Sequence, residues 1–230
     1  MGSTLLKWTL RVGLGSVLLL SLPLCPLVAI DFSAVQAAEP LDKNTATEDQ
    51  LKGFPSKDPI RSSFDFRKTS WGMAKEQVKK AETGKLEAEK DDRLGYSDSV
   101  AGKEVAIIYV FTKNKLTRST YIFTSQHTNK NLFINDYEEI KQLLSDKYGL
   151  PSKDGSRWAN DLYRNAPQDW GMAVSVGHLS YWSSWDTQTT NIFHGLRGDN
   201  YKVTLMTQYK SKELEKLEQQ SEKDKTLSNF

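Results

Sequence analysis

Three histidines, a serine two residues from one of them, and a run of aromatics are the parts of this 230-residue chain that could do chemistry. His178 and Ser180 would share a face of any strand that carried them, because strand side chains alternate with a period of two. With His194 on a neighbouring strand, they would make a histidine-activated serine, the heart of an envelope hydrolase. A nucleophilic serine needs a sharp presentation such as a G-x-S-x-G turn, and the chain has none. His178 and His194 with Asp186 could instead offer zinc a set of ligands. The H-x15-H interval between them matches no standard zinc spacing. The acidic pairs Asp91–Asp92 and Glu138–Glu139 lack a calcium-loop or glycosidase context and read as solvated ends and a match to a helix dipole. The expectation is no catalytic residue, no metal and no cofactor.

The most distinctive stretch is "GHLSYWSSWDTQ", which places Tyr181, Trp182 and Trp185 within five residues. Aromatics beside a turn at Ser183–Ser184 could stack on sugar rings or anchor a protein partner. They could equally cover the sheet core, where most tryptophans are largely buried. Tyr181, Trp182 and Trp185 are the expected binding residues. Positions 182 and 185 differ by an odd number, so a continuous strand would send them to opposite faces.

Elements able to position these residues are legible in part. "KEVAIIYVFT" is apolar on both faces and predicts a central strand, with "KNK" at 113–115 turning it back into "LTRSTYIFT". A short helix follows Gly72, with Gln77 set for half of a capping box whose other half is Ala74. A longer helix is expected to start near Asn135, with Tyr137, Ile140, Leu144 and Tyr148 as its apolar stripe. Gly149 and Pro151 stop it. "GMAVSV", "TQTTNIFHGL" and "YKVTLMTQY" alternate as strands, and a charged helical tail occupies 211–230.

The tetrapeptide WGMA occurs at 71–74 and again at 170–173. By these readings it opens a helix at the first site and a strand at the second, so it does not mark equivalent positions. A looser repeat is expected instead, a helix followed by an antiparallel meander at 70–124 and again at 135–210.

Residues 1–38 have the order of an export signal: basic Lys7 and Arg11, an uncharged apolar run from Val12 to Ile30, then small residues up to Ala38. The alternatives are an uncleaved membrane anchor, which Pro23 and Pro26 disfavour, and a lipid on Cys25, whose preceding Leu24 is a poor context. Cys25 is the only cysteine, so a chain cut near Ala38 would have no disulfide in a compartment that permits them. The 31 basic and 29 acidic residues become 29 and 28 once Lys7, Arg11 and Asp31 leave, a net charge of +1 that argues against a nucleic-acid surface. Residues 39–63 are polar, carry three prolines and read as a flexible linker, followed by one domain over 64–210.

Gly72-Met73-Ala74-Lys75-Glu76-Gln77-Val78 resembles the G-M-[ST]-x-x-[EQ]-V opening of small exported envelope proteins. These are the outer-membrane-barrel assembly lipoproteins and the beta-lactamase-inhibitor-protein-like domains. "LLSDKYGLP" is similar to the L-x-x-x-x-G-x-P helix exit of the same group. The resemblance implies helices packed on one face of an antiparallel sheet, and protein binding rather than catalysis. The sequence thus points to an α+β fold in an exported periplasmic or secreted protein. Its expected partner is a protein or glycan of the cell envelope, with no nucleic acid. Membrane contact is expected only through an uncleaved signal or a lipid. An envelope hydrolase and a structural envelope protein are the competing readings.

Overall fold

Val105, Ile107, Tyr109 and Phe111 alternate along one face of a ten-residue strand, and all four are buried. That strand lies within an eight-stranded antiparallel sheet. The computed structural model, which describes residues 64–228, gives its strands as β1 (Lys85–Lys90), β2 (Arg93–Val100), β3 (Lys103–Thr112), β4 (Lys115–Phe123), β5 (Lys153–Trp158), β6 (Leu179–Asp186), β7 (Thr190–Asp199) and β8 (Lys202–Ser211). Their spatial order is β1-β2-β3-β4-β8-β7-β6-β5. Four helices accompany them: α1 (Lys75–Ala81), α2 (Asn131–Tyr148), α3 (Trp170–Ser175) and α4 (Glu215–Leu227). The fold is α+β. The proposed export signal, Cys25 and the linker lie outside the described residues. No helix among the described residues is long and apolar enough to cross a membrane.

The chain thus runs as α1 leading into β1–β4, then α2 leading into β5–β8 with α3 inserted between β5 and β6. The two four-stranded runs meet edge to edge where Arg118–Phe123 of β4 pairs with Leu205–Lys210 of β8. The core lies between one sheet face and the layer of α1, α2 and α3. Val78 of α1, Phe133, Tyr137, Ile140 and Leu144 of α2, and Ala173 and Val174 of α3 all enter it. Lys113 and Asn114 turn β3 into β4 with φ of 49° and 59°, the left-handed pair that a two-residue hairpin turn demands.

Three local expectations are corrected. The second WGMA begins α3 rather than a strand. Its alternating apolar residues suggested strand, but tertiary contact overrides the pattern. A Cβ at Gly171 would stand 2.2 Å from the Lys130 carbonyl carbon, so α3 sits directly on the start of α2. Asn131 fastens that contact: its Oδ1 accepts from the Gly171 amide at 2.6 Å and its Nδ2 donates to the Gln168 carbonyl at 2.7 Å. The same contact moves the start of α2 back from Asn135 to Asn131. Ser183 and Ser184 form no turn. They lie inside β6, which runs unbroken from Leu179 to Asp186.

Candidate functional site

The histidines and serine do not converge. His194 is fully buried on the helix-covered face of β7. Ser180 lies on β6 opposite Arg157, with the parity of Trp182, and so on the other face. His178 precedes β6, its ring 5.7 Å from that of Tyr163. Asp186, at the end of β6, is ion-paired with Lys212. Among the described residues no group of three His, Cys, Asp or Glu side chains stands together to hold a metal.

His194 belongs instead to a polar chain through the core. Its ring stacks on that of Tyr137, with centroids 4.6 Å apart and planes 8° from parallel. Nε2 faces the Tyr137 carbonyl at 3.1 Å, and Nδ1 faces the Thr207 hydroxyl at 2.9 Å and the Met206 carbonyl at 3.1 Å. The Tyr137 hydroxyl meets Ser183 Oγ at 2.6 Å, and Ser183 donates to Asp154 at 2.7 Å. Lys141 closes the chain on Asp154 at 2.6 Å. Burial pushes the His194 pKa down to about 4 against the pull of its carbonyl neighbours. Such a ring positions α2 on the sheet, and it has no open side for a substrate.

Two further clusters give no signal in the sequence because their members are far apart in the chain. The Glu82 carboxylate accepts from Arg67 at 3.0 Å, from the Thr83 and Gly84 amides, and from the Tyr109 hydroxyl. Burial raises its pKa, but these donors outweigh burial and hold it below the usual carboxylate range. Asp136 receives Lys103 at 2.7 Å and His127 at 2.6 Å, which likewise overcome its burial and keep it ionised. Both carboxylates are saturated by protein donors, which suits a structural role.

The aromatic stretch is divided by the sheet. Trp185 is 2% exposed, and its indole N–H donates to the Gly149 carbonyl at 2.8 Å. Tyr181 packs on the same covered face, its ring 5.5 Å from that of Tyr137. Trp182 points the other way and is partly exposed. Its indole lies over Gly155, where a Cβ would stand 3.2 Å from the ring.

Trp182 is one member of a longer feature. Ala106, Ile122, Met206, Gly195, Trp182 and Gly155 are successive register partners across β3, β4, β8, β7, β6 and β5. They form one row of apolar side chains and glycines on the face away from α1, α2 and α3, about 24 Å long at ~4.8 Å per strand. Ala106, Ile122, Trp182 and Gly155 are partly exposed, and Met206 and Gly195 between them are buried. The Phe193 ring roofs Gly195, at 2.7 Å from where a Cβ would be. Sequence reading missed the row because each strand contributes a single residue, and only the register aligns them. No protein-family model, curated protein or solved structure matches the chain.

Proposed function

We propose that the protein is an exported, non-catalytic binding protein of the periplasm or cell envelope. A protein or glycan partner docks on the uncovered sheet face. The observation that carries this reading is the apolar row from Ala106 to Gly155, with the partly exposed indole of Trp182 near its β5 end. The partly exposed Ala106, Ile122 and Trp182 give apolar area to a partner, and the indole adds a rigid contact at little entropic cost. The non-catalytic part rests on the separation of His178, Ser180 and His194 and on the saturation of Glu82 and Asp136. Export rests on the basic, apolar and small-residue order of residues 1–38.

The test is capture from native envelope extract with wild type, Trp182→Ala and Trp182→Tyr as baits. A partner retained by wild type and Trp182→Tyr but lost by Trp182→Ala, at a stability within about 1 kcal/mol of wild type, is the expected result. Capture indifferent to Trp182 would refute the docking face. N-terminal sequencing of the exported form should start near Ala38 or Glu39. An intact Met1 in the membrane fraction, or a lipid on Cys25, would refute export by cleavage.

A further inference from the structure

The face away from α1, α2 and α3 has basic residues at the β5 end of its apolar row and beside the β4–β8 part of it. At the β5 end, Lys153 and Arg157 flank Gly155 with the same parity, and neither makes an ion pair among the described residues. Beside the row, four residues along the strands from Ile122 and Met206, stand the register partners Arg118 of β4 and Lys210 of β8. This second pair is occupied by the chain's own α4. Glu218 lies 3.1 Å from Arg118 and 3.7 Å from Lys210, and Glu215 lies 3.2 Å from Lys210.

The α4 contact is weakly made. Glu218 is 3% exposed, yet neither of its carboxylate oxygens has a hydrogen-bond partner, and Arg118 Nε is likewise buried without one. Burying charges without aligned hydrogen bonds costs much of what their attraction returns. No apolar side chain of α4 is fully buried. Beyond Glu218 a cleft of about 560 Å³ opens between Ser221 and Phe111, Thr112 and the adjoining turns, spanned by Lys225, which pairs with Asp92 at 3.3 Å. Thus α4 rests its Glu215, Glu218 and Glu222 on a basic corner and its Lys225 on Asp92, with no buried apolar side chain to keep it there.

We infer that the uncovered face recognises an acidic, apolar-bearing segment of a protein partner, and that α4 is a tethered competitor for the basic corner of that face. The inference rests on the docking face proposed above and adds the chemistry of the partner. Apolar residues of the segment lie on the Ile122–Trp182 row, and its carboxylates meet Lys153 and Arg157 at one end. Beside the row, at β4 and β8, its carboxylates replace Glu215 and Glu218 on Arg118 and Lys210. Three strand spacings and two residues, about 16 Å, separate Lys153 from Lys210 and set the least span that the segment must bridge.

The experiment uses the full chain and a labelled peptide of alternating Glu and Leu, about 12 residues long, ample at ~3.4 Å per extended residue. Its Lys–Leu counterpart, heparin and phosphatidylglycerol vesicles are the rival probes. The Glu–Leu peptide should bind, and the Lys–Leu peptide should not. Lys153→Glu with Arg157→Glu should weaken binding about tenfold or more, as loss of paired charges at a docking site does. Glu218→Arg, which repels α4 from Arg118 and Lys210, should strengthen it. Glu218→Gln should do so to a smaller degree with no new charge.

Failure of the Glu–Leu peptide to bind either wild type or the Glu218 variants overturns the acidic-partner inference. If Trp182-dependent capture persists in that case, the docking face itself stands. Equal binding of heparin or vesicles, unaffected by Trp182→Ala, also overturns the inference and assigns the face to polyanions or membrane. Unchanged affinity in both Glu218 variants overturns the competitor role of α4.

Discussion

Thr207 decides which nitrogen of His194 carries the proton. Both ring nitrogens face backbone carbonyls, and a neutral imidazole has one N–H to give. The Thr207 hydroxyl can donate to Nδ1, which leaves Nε2–H for the Tyr137 carbonyl and satisfies both atoms. Burial, helped by the charge of Lys141, holds the folded-state pKa near about 4, below the ordinary value of 6.5. A depressed histidine pKa means that the unfolded chain binds the proton first as pH falls. Stability is therefore fully present above about pH 6.5 and is lost between there and about pH 4. Between about pH 7 and about pH 5 the loss should be about 2 kcal/mol. Urea titrations at the two pH values measure it, and His194→Gln should flatten the difference. The carboxylates held low by their partners, Glu82 and Asp136 among them, contribute their loss at still lower pH, so the histidine window is separate. At the same scale, Trp185→Ala should cost about 3 kcal/mol or more, as core truncations do. Trp182→Ala on the uncovered face should cost about 1 kcal/mol or less. Equal unfolding midpoints for the two variants would contradict this division of the aromatic stretch.

At the scale of elements, α1 begins with half a cap. The Gln77 side chain accepts from the Ala74 amide at 2.8 Å, which is the return half of a capping box. Ala74 has no oxygen to complete it, so Ala74→Ser should stabilise the fold by about 0.5–1 kcal/mol. A urea midpoint no higher than wild type would mean that the introduced hydroxyl fails to reach the first-turn amides. Gly171→Ala should act oppositely and cost about 2–3 kcal/mol, because its new methyl must push back the backbone at Lys130. These two sites also show what sequence could and could not reveal. Gln77 three residues after position 74, the Tyr137–Ile140–Leu144 stripe and the Lys113–Asn114 turn are local chemistry, and each was readable. The second WGMA misled because α3 is fixed by a backbone contact forty residues away, through Asn131. Edge strand β1 gave no apolar alternation, since all six of its residues are exposed. The aromatic stretch identified Trp182 as a candidate, but the row it joins depends on register across six strands.

The whole molecule presents a question about cooperativity, because its two helix-plus-four-strand runs share only one strand junction, β4 with β8. Two such halves could unfold separately if each had its own core. Their packing argues otherwise. Phe66 precedes the first run, yet its ring lies 5.5 Å from Tyr109, 4.8 Å from Tyr121 and 4.9 Å from Tyr209, touching both sides of the junction. Trp71 crosses as well, its indole donating to Thr190 at 2.8 Å, and Asp65 accepts from Thr189 at 2.7 Å. The first run has little helix of its own, since α1 is seven residues long and buries only Val78. Its sheet face is completed by the segment at 64–74, which the second run also holds. One transition is therefore expected. Indole fluorescence is weighted to the second half, through Trp158, Trp170, Trp182 and Trp185, whereas far-ultraviolet dichroism reports both halves of the sheet. The two signals should give the same urea midpoint. Phe66→Ala should lower that shared midpoint, at a cost of about 3–4 kcal/mol, without separating the signals. If dichroism falls before fluorescence in wild type, the first run melts alone and the rings around Phe66 do not couple the halves.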